Sequence, residues 1–154
     1  MQATTASVEE TQALAARLAT LTAAGDLLVL LGELGAGKTA FVKGLTAALG
    51  SPDPVTSPTF TIAQRYDGGR LTVHHLDAYR LAGPEEATDL AIDELLDDHA
   101  VTVIEWGDRL RGMLPVDRLE IAFTFGPGDD DRILALEPLG PGWSARLREL
   151  EASC

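Results

Sequence analysis

Cysteine occurs once in the chain, as Cys154. One thiol excludes an internal disulfide framework and a cysteine-based metal-ligand set. Lysine is nearly as scarce, present only as Lys38 and Lys43. Basic residues number 12 against 24 acidic ones, a formal net charge of −12. Such a surface repels a bare phosphate backbone, so nucleic-acid binding by the chain alone is not expected. No apolar run approaches the length of a membrane span, and no basic segment leads into an apolar one at the start. The expectation is a cytoplasmic protein without a membrane role. At 154 residues the chain is expected to be a single domain with one packed core.

Against that background, one stretch dominates. Leu27, Leu28, Val29, Leu30 and Leu31 form a short apolar run bounded by turn chemistry, the pattern of a strand buried on both faces. Gly32-Glu33-Leu34-Gly35-Ala36-Gly37-Lys38-Thr39 follows and satisfies G-x-x-x-x-G-K-[ST] at every fixed position. With glycine near 7% of residues, a window fits by chance on the order of once in 30,000. The glycines let the backbone curl so that successive N–H groups face an anion. Lys38 opens the following helix, so its ammonium and the positive helix end both face the phosphates. Thr39 brings a hydroxyl toward Mg²⁺. Phe41, Val42, Leu45, Ala48 and Leu49 recur at helical spacing, and Gly50 is placed to end that helix. A nucleoside triphosphate site is the direct reading.

The remaining segments assemble around it. Ser7-Val8-Glu9-Glu10 fits a capping box, and Leu14, Leu18 and Leu21 continue an amphipathic helix over about 7–24, with Gly25 as its stop. Thr11 lies on its first turns, either solvated or functional. Residues 51–59, rich in proline and hydroxyls, form an irregular loop, either a connector or a sensor of the γ-phosphate. Phe60–Tyr66 and Leu71–Leu76 flank Asp67-Gly68-Gly69-Arg70, a hairpin that makes the sheet mixed. His74 and His75 face opposite sides of a strand, which favours a structural histidine over a zinc site. Asp77 and Glu105 each stand at a strand end, where Mg²⁺ or its water needs a negative partner. Between them, residues 84–96 read as a short acidic helix. Leu119–Phe125 and Arg132–Leu136 form a second hairpin with an exposed acidic tip, and Leu139–Leu150 reads as a closing helix.

Taken together, the chain resembles the TsaE family, small bacterial ATPases of tRNA threonylcarbamoyladenosine biosynthesis. The resemblance rests on Gly32 to Thr39, Ser57-Pro58-Thr59-Phe60-Thr61, His75-Leu76-Asp77-Ala78-Tyr79-Arg80-Leu81, Pro84-Glu85-Glu86 and Ile104-Glu105-Trp106-Gly107 in order. Ala78 stands where the family usually carries leucine, and beyond about Val116 only the pattern matches. The resemblance implies an α/β, P-loop NTPase-like three-layer fold with a mixed, partly antiparallel central sheet. It implies ATP and Mg²⁺ as ligands and the TsaB–TsaD pair as partners, with tRNA reached only through that complex. TsaD transfers a threonylcarbamoyl group to adenosine 37 of ANN-decoding tRNAs, and the TsaE-like member resets the machine by ATP hydrolysis. Alone, the chain would be a monomer or weak oligomer. By role, Lys38 would neutralise the β- and γ-phosphates, and the segment Gly35, Ala36, Gly37, Lys38, Thr39 and Ala40 would cradle them. Thr39 and Glu105 would hold magnesium, while Asp77 would orient water or support the metal shell. Ser57 and Thr59 would sense the nucleotide, and Trp106 and Thr11 would contact it.

A small-molecule kinase is the competing class, but such enzymes add an arginine-rich lid, and no insertion of adequate length lies between the motifs. A non-hydrolysing, nucleotide-dependent scaffold would keep the loop without needing both strand-end acids.

Overall fold

The structure, a computed structural model, describes residues 1–33, 35–55, 63–78, 96, 98–105 and 111–153. In chain order the elements are β1 (Gln2–Thr5), α1 (Val8–Ala19), β2 (Leu27–Gly32), α2 (Lys38–Ala48), β3 (Ala63–Tyr66), β4 (Thr72–Asp77), β5 (Ala100–Glu105), β6 (Arg118–Phe125), β7 (Arg132–Leu139) and α3 (Ser144–Ala152). One seven-stranded sheet holds them in the order β1-β7-β6-β2-β5-β4-β3. Strands β6, β2, β5 and β4 run parallel, and antiparallel pairs close both edges. The expected mixed α/β sheet is therefore present, with each hairpin adding an antiparallel edge.

The apolar run in β2 is buried on both faces, as its continuity predicts. Leu28 and Leu30 join a core with Leu14, Leu18, Phe41, Val42, Leu45, Trp143 and Leu147, which places the three helices among the described residues on that side. Leu27 and Val29 join a second core with Leu76, Ile104 and Leu114, against which Leu31, Leu96 and Met113 pack. Apolar residues thus cover both faces of the sheet, with the described helices on one of them.

Helix α1 starts as its capping box requires: Glu10 N–H donates to Ser7 Oγ at 3.1 Å, while Glu10 Oε2 accepts from Ala6 N–H at 2.6 Å. It stops at Ala19, short of the expected Gly25. Thr20 and Thr22 hydroxyls donate to the carbonyls of Arg17 and Leu18, and Arg70 donates to those of Ala19 and Thr22. These side chains satisfy the last carbonyls where a longer helix would have continued. Gly50 ends α2 as expected, with φ +92° and its N–H on Ala47 O, followed by Ser51 N–H on Thr46 O.

Two expectations at the ends of the chain need correction. Strand β1 was not anticipated, because Gln2-Ala3-Thr4-Thr5 carries no apolar alternation; it forms by pairing with β7. Helix α3 begins at Ser144 rather than near Leu139, because Leu139 still belongs to β7 and Asp117 Oδ1 accepts from Gly142 N–H in the turn between. The expected acidic helix over 84–96 lies almost wholly outside the described residues. At the tip joining β3 and β4, Asp67 is held below the usual carboxylate range, chiefly by the hydrogen bond from Arg65.

Helices α1 and α2 cross where Gly44 meets Gln12. A Cβ on Gly44 would stand 2.5 Å from Gln12 O and 2.6 Å from Gln12 Cα. Helix propensity alone favours Gly44→Ala by about 1 kcal/mol. Overpacking against rigid backbone opposes it by about 1–3 kcal/mol. The variant is expected to have a lower urea midpoint with an unchanged slope; a raised midpoint would mean that the two helices separate freely.

Candidate nucleotide site

Pairing on both edges forces β2 to release its chain at the carboxyl end, where four parallel strands finish together. Gly32 is still paired to Phe123 there, and its φ of +148° turns the chain out of the sheet. A Cβ at this position would lie 2.7 Å from Phe123 O, so the strand pairing and the turn both require glycine. Gly35 and Gly37 adopt φ of +82° and +106°, and Gly37 is the N-cap of α2 without any side-chain cap. Ala36 N–H is used by Glu33 O, and Phe41 N–H makes the first helical bond to Gly37 O. The N–H groups of Lys38, Thr39 and Ala40 thus open the helix without earlier carbonyls to bond along it. That leaves a helix end equivalent to about half a positive charge facing the loop.

The Lys38 side chain is buried, and its Nζ donates to Gly32 O at 2.5 Å, reaching back across the loop to its first residue. Residues at the adjoining strand ends supply the opposite charge. Asp77 on β4 is the register partner of Glu105 on β5, and Glu105 is in turn the partner of Leu30 on β2. Strand alternation puts His75, Asp77 and Glu105 on the side of Val73, Val101 and Val103, which is the α2 side. Neighbouring strands lie about 4.8 Å apart, so two nearly buried carboxylates stand side by side at the carboxyl ends of β4 and β5.

Glu105 has one hydrogen-bond partner among the described residues: His75 Nε2, 2.9 Å from its Oε2. His75 is fully buried, and its Nδ1 lies 3.0 Å from Tyr66 Oη, which also lies 2.5 Å from Gln64 Oε1. The structural reading of a histidine at this pair therefore applies to His75. Among the described residues no cluster of three or more His, Cys, Asp or Glu is arranged to hold a metal ion. A complete protein cage is thus absent from them. Thr39, Glu105 and Asp77 instead offer a hydroxyl and carboxylates, hard oxygen donors of the kind that hold Mg²⁺ together with substrate phosphates.

Of the other candidate residues, Thr11 is buried rather than solvated, its Oγ1 2.7 Å from Thr5 Oγ1. Thr5 is the register partner of Arg132, whose Nη2 donates to Gly35 O at 3.3 Å. Thr11 therefore belongs to the β1–β7 flank of the loop. Ser57, Thr59 and Trp106 lie outside the described residues.

Two features escaped the sequence reading. One is the His75 bridge to Glu105, which links residues 30 positions apart. The other is Arg132, which follows the acidic tip and carries no motif. Its guanidinium packs over Phe125, donates to Asp129 and Asp131 carbonyls, and brings a second cation to a loop whose nearby sequence offers only Lys38. Only the strand pairing of β1, β7 and β6 reveals it.

Comparison with known proteins supplies an independent line. The family model described as "Threonylcarbamoyl adenosine biosynthesis protein TsaE" matches residues 5–133. The tRNA threonylcarbamoyladenosine biosynthesis protein TsaE of Bacillus subtilis is 39% identical over 146 residues, 95% of this chain and 90% of that protein. Its counterpart in Streptomyces coelicolor is 44% identical over 136 residues, 83% of this chain and 90% of that protein. Among solved structures, a crystal structure of Bacillus subtilis YdiB aligns with a TM-score of 0.83 at 34% identity, covering 99% of this chain and 95% of that one.

A charge-assisted hydrogen bond contributes about 1.5–3 kcal/mol. Lys38→Ala is therefore expected to weaken ATP binding by about ten- to a hundredfold in a calorimetric titration, with the circular dichroism spectrum unchanged. Wild-type affinity would remove Lys38 from the phosphate site.

Proposed function

Because the chain belongs to the TsaE family of threonylcarbamoyl adenosine biosynthesis proteins, we propose that it is an ATPase that binds and hydrolyses Mg-ATP in support of tRNA modification. The observation that carries this reading is the in-register pair Asp77 and Glu105 beside a phosphate loop closed by a buried lysine. A phosphate-binding loop alone serves many purposes. Two carboxylates at adjacent parallel strand ends add what hydrolysis needs, a metal partner and a group to orient water.

In this reading the N–H groups at the start of α2 bind the phosphate oxygens, and Lys38 leaves Gly32 O to neutralise the β- and γ-phosphates. Thr39 and Glu105 would hold magnesium, which would supply charge neutralisation to the phosphates. Asp77 accepts a hydrogen bond from water and aims its oxygen at the γ-phosphorus. The new P–O bond forms as the bond to the bridging oxygen breaks, ADP departs with that electron pair, and a water proton passes to an oxygen of the released phosphate. Ser57, Thr59, Trp106 and Thr11 complete the nucleotide contacts.

The relatives' names supply the setting, tRNA threonylcarbamoyladenosine biosynthesis. We assign the TsaB–TsaD pair as partner, with TsaD modifying adenosine 37 of ANN-decoding tRNAs. The net charge of −12 supports contact with tRNA through those partners rather than directly. An open phosphate loop encloses the transition state poorly, so hydrolysis by the isolated chain is expected to be slow.

Two outcomes follow from these roles. Thr39→Ala and Glu105→Gln are each expected to raise the Mg²⁺ concentration needed for hydrolysis about tenfold. A Glu105→Gln protein with wild-type magnesium dependence would move that role to Asp77.

The partners are expected to raise the hydrolysis rate, and ATP to tighten association with them by the factor with which they tighten ATP binding. Co-elution and rate measurements with ADP, or with an unreactive ATP analogue, check both. Association indifferent to nucleotide, with a rate the partners leave unchanged, would contradict the assignment. Phosphate transfer to a small acceptor by the isolated chain would point to a kinase.

A further inference from the structure

Glu105 is a buried carboxylate, and a buried charge needs a partner. In an α/β site of this kind the expected partner is a cation or a backbone N–H. Here it is the Nε2 of His75, one strand away and fully buried. An ionised carboxylate only accepts hydrogen bonds, so Nε2 carries the proton that faces it. The opposite ring nitrogen is also occupied, because Tyr66 Oη lies 3.0 Å from Nδ1. Tyr66 packs tilted against the imidazole, with ring centroids 5.8 Å apart. Both nitrogens and one ring face are thus fixed, and rotation of the imidazole by 180° would break two hydrogen bonds at once.

We propose that His75 is a positioning residue for Glu105: its Nε2–H holds one carboxylate oxygen and leaves the other turned out for the metal ion. The inference rests on the reading of Glu105 as a metal ligand. It accounts for a feature which that reading leaves unexplained, namely why a fully buried histidine lies beneath a strand-end carboxylate. Tyr66 and Gln64 are the register partners of Val73 and His75, so β3 supplies the outer supports of the same line of hydrogen bonds. The arrangement does for Glu105 what outer-shell partners do for metal ligands in general: it fixes orientation and limits the rotamers available.

The test uses Mn²⁺ as the probe, its binding read by electron paramagnetic resonance with an unreactive ATP analogue present. His75→Leu is expected to weaken Mn²⁺ binding about tenfold while affinity for the metal-free analogue stays at the wild-type value. His75→Gln places an amide N–H near the position of Nε2 and is expected to restore most of the loss. A merely structural histidine would not give this split between metal and nucleotide, nor the rescue. Wild-type Mn²⁺ affinity in His75→Leu, alongside a loss in Glu105→Gln, would overturn the positioning role and leave the metal reading standing. Wild-type affinity in Glu105→Gln would overturn the metal reading and this proposal with it. A second readout needs neither metal nor variant: long-range proton–nitrogen correlation of the His75 ring in the wild-type protein. A proton on Nε2 is expected, and a bare Nε2 with the proton on Nδ1 would overturn the proposal even if His75→Leu failed to fold.

Discussion

Strand β2 has no free surface: both faces are buried and both edges are hydrogen-bonded to parallel neighbours. Its chain leaves only at the carboxyl end, through a glycine so close to Phe123 that no side chain fits. The position of the phosphate loop follows from that confinement. So does the placement of the acids, since β4 and β5 run parallel to β2 and must end on the same side. A crevice at the carboxyl edge of a parallel sheet is where ligands of such folds bind. At that edge this chain places the buried residues Lys38, Asp77 and Glu105 and the N-terminus of α2.

Two buried glutamates illustrate how place decides use. Glu120 sits near the amino end of β6 and accepts from Arg111 at 2.8 Å and from Arg118 at 3.0 and 3.1 Å. Two guanidinium partners occupy its oxygens and tie the segment before β6 to the sheet. Glu105, at the carboxyl end of β5, meets a single imidazole N–H among the described residues and keeps capacity for another ligand. Burial is nearly the same for both, and the partners separate a fastener from a candidate ligand. The C-terminal helix acts as a second fastener: Arg146 grips both oxygens of Asp26 at 2.6 and 3.1 Å and lies over the Trp143 ring.

Legibility in the sequence followed how local each cause was. The phosphate loop, the cap at Ser7, the glycine stop at Gly50 and both hairpin turns depend on residues within a few positions of one another. Those were readable, as was the double-faced burial of Leu27 to Leu30. Strand β1 was not, because an edge strand of glutamine, alanine and threonines is made by the neighbour it pairs with. The early stop of α1 was also hidden, since part of its cap arrives from Arg70 on a later hairpin. The strand-end positions of Asp77 and Glu105 were legible, as was the place of Lys38 at the start of α2, whereas Arg132 and the His75 bridge depend on which strands become neighbours. Thr11 stood between a solvated and a functional reading until its burial against Thr5 removed the first.

The account turns on one arrangement, a nucleotide triphosphate seated on the start of α2 with its metal ion between Thr39 and Glu105. A crystal structure with Mg²⁺ and an unreactive ATP analogue addresses it directly. The account predicts phosphate oxygens on the N–H groups of residues 35–40 and Lys38 Nζ moved from Gly32 O to the β- and γ-phosphates. It further predicts one Glu105 oxygen facing the ion or its water while the other stays on His75. A triphosphate bound away from the loop, or an ion held by Asp77 with Glu105 turned from it, would contradict the account.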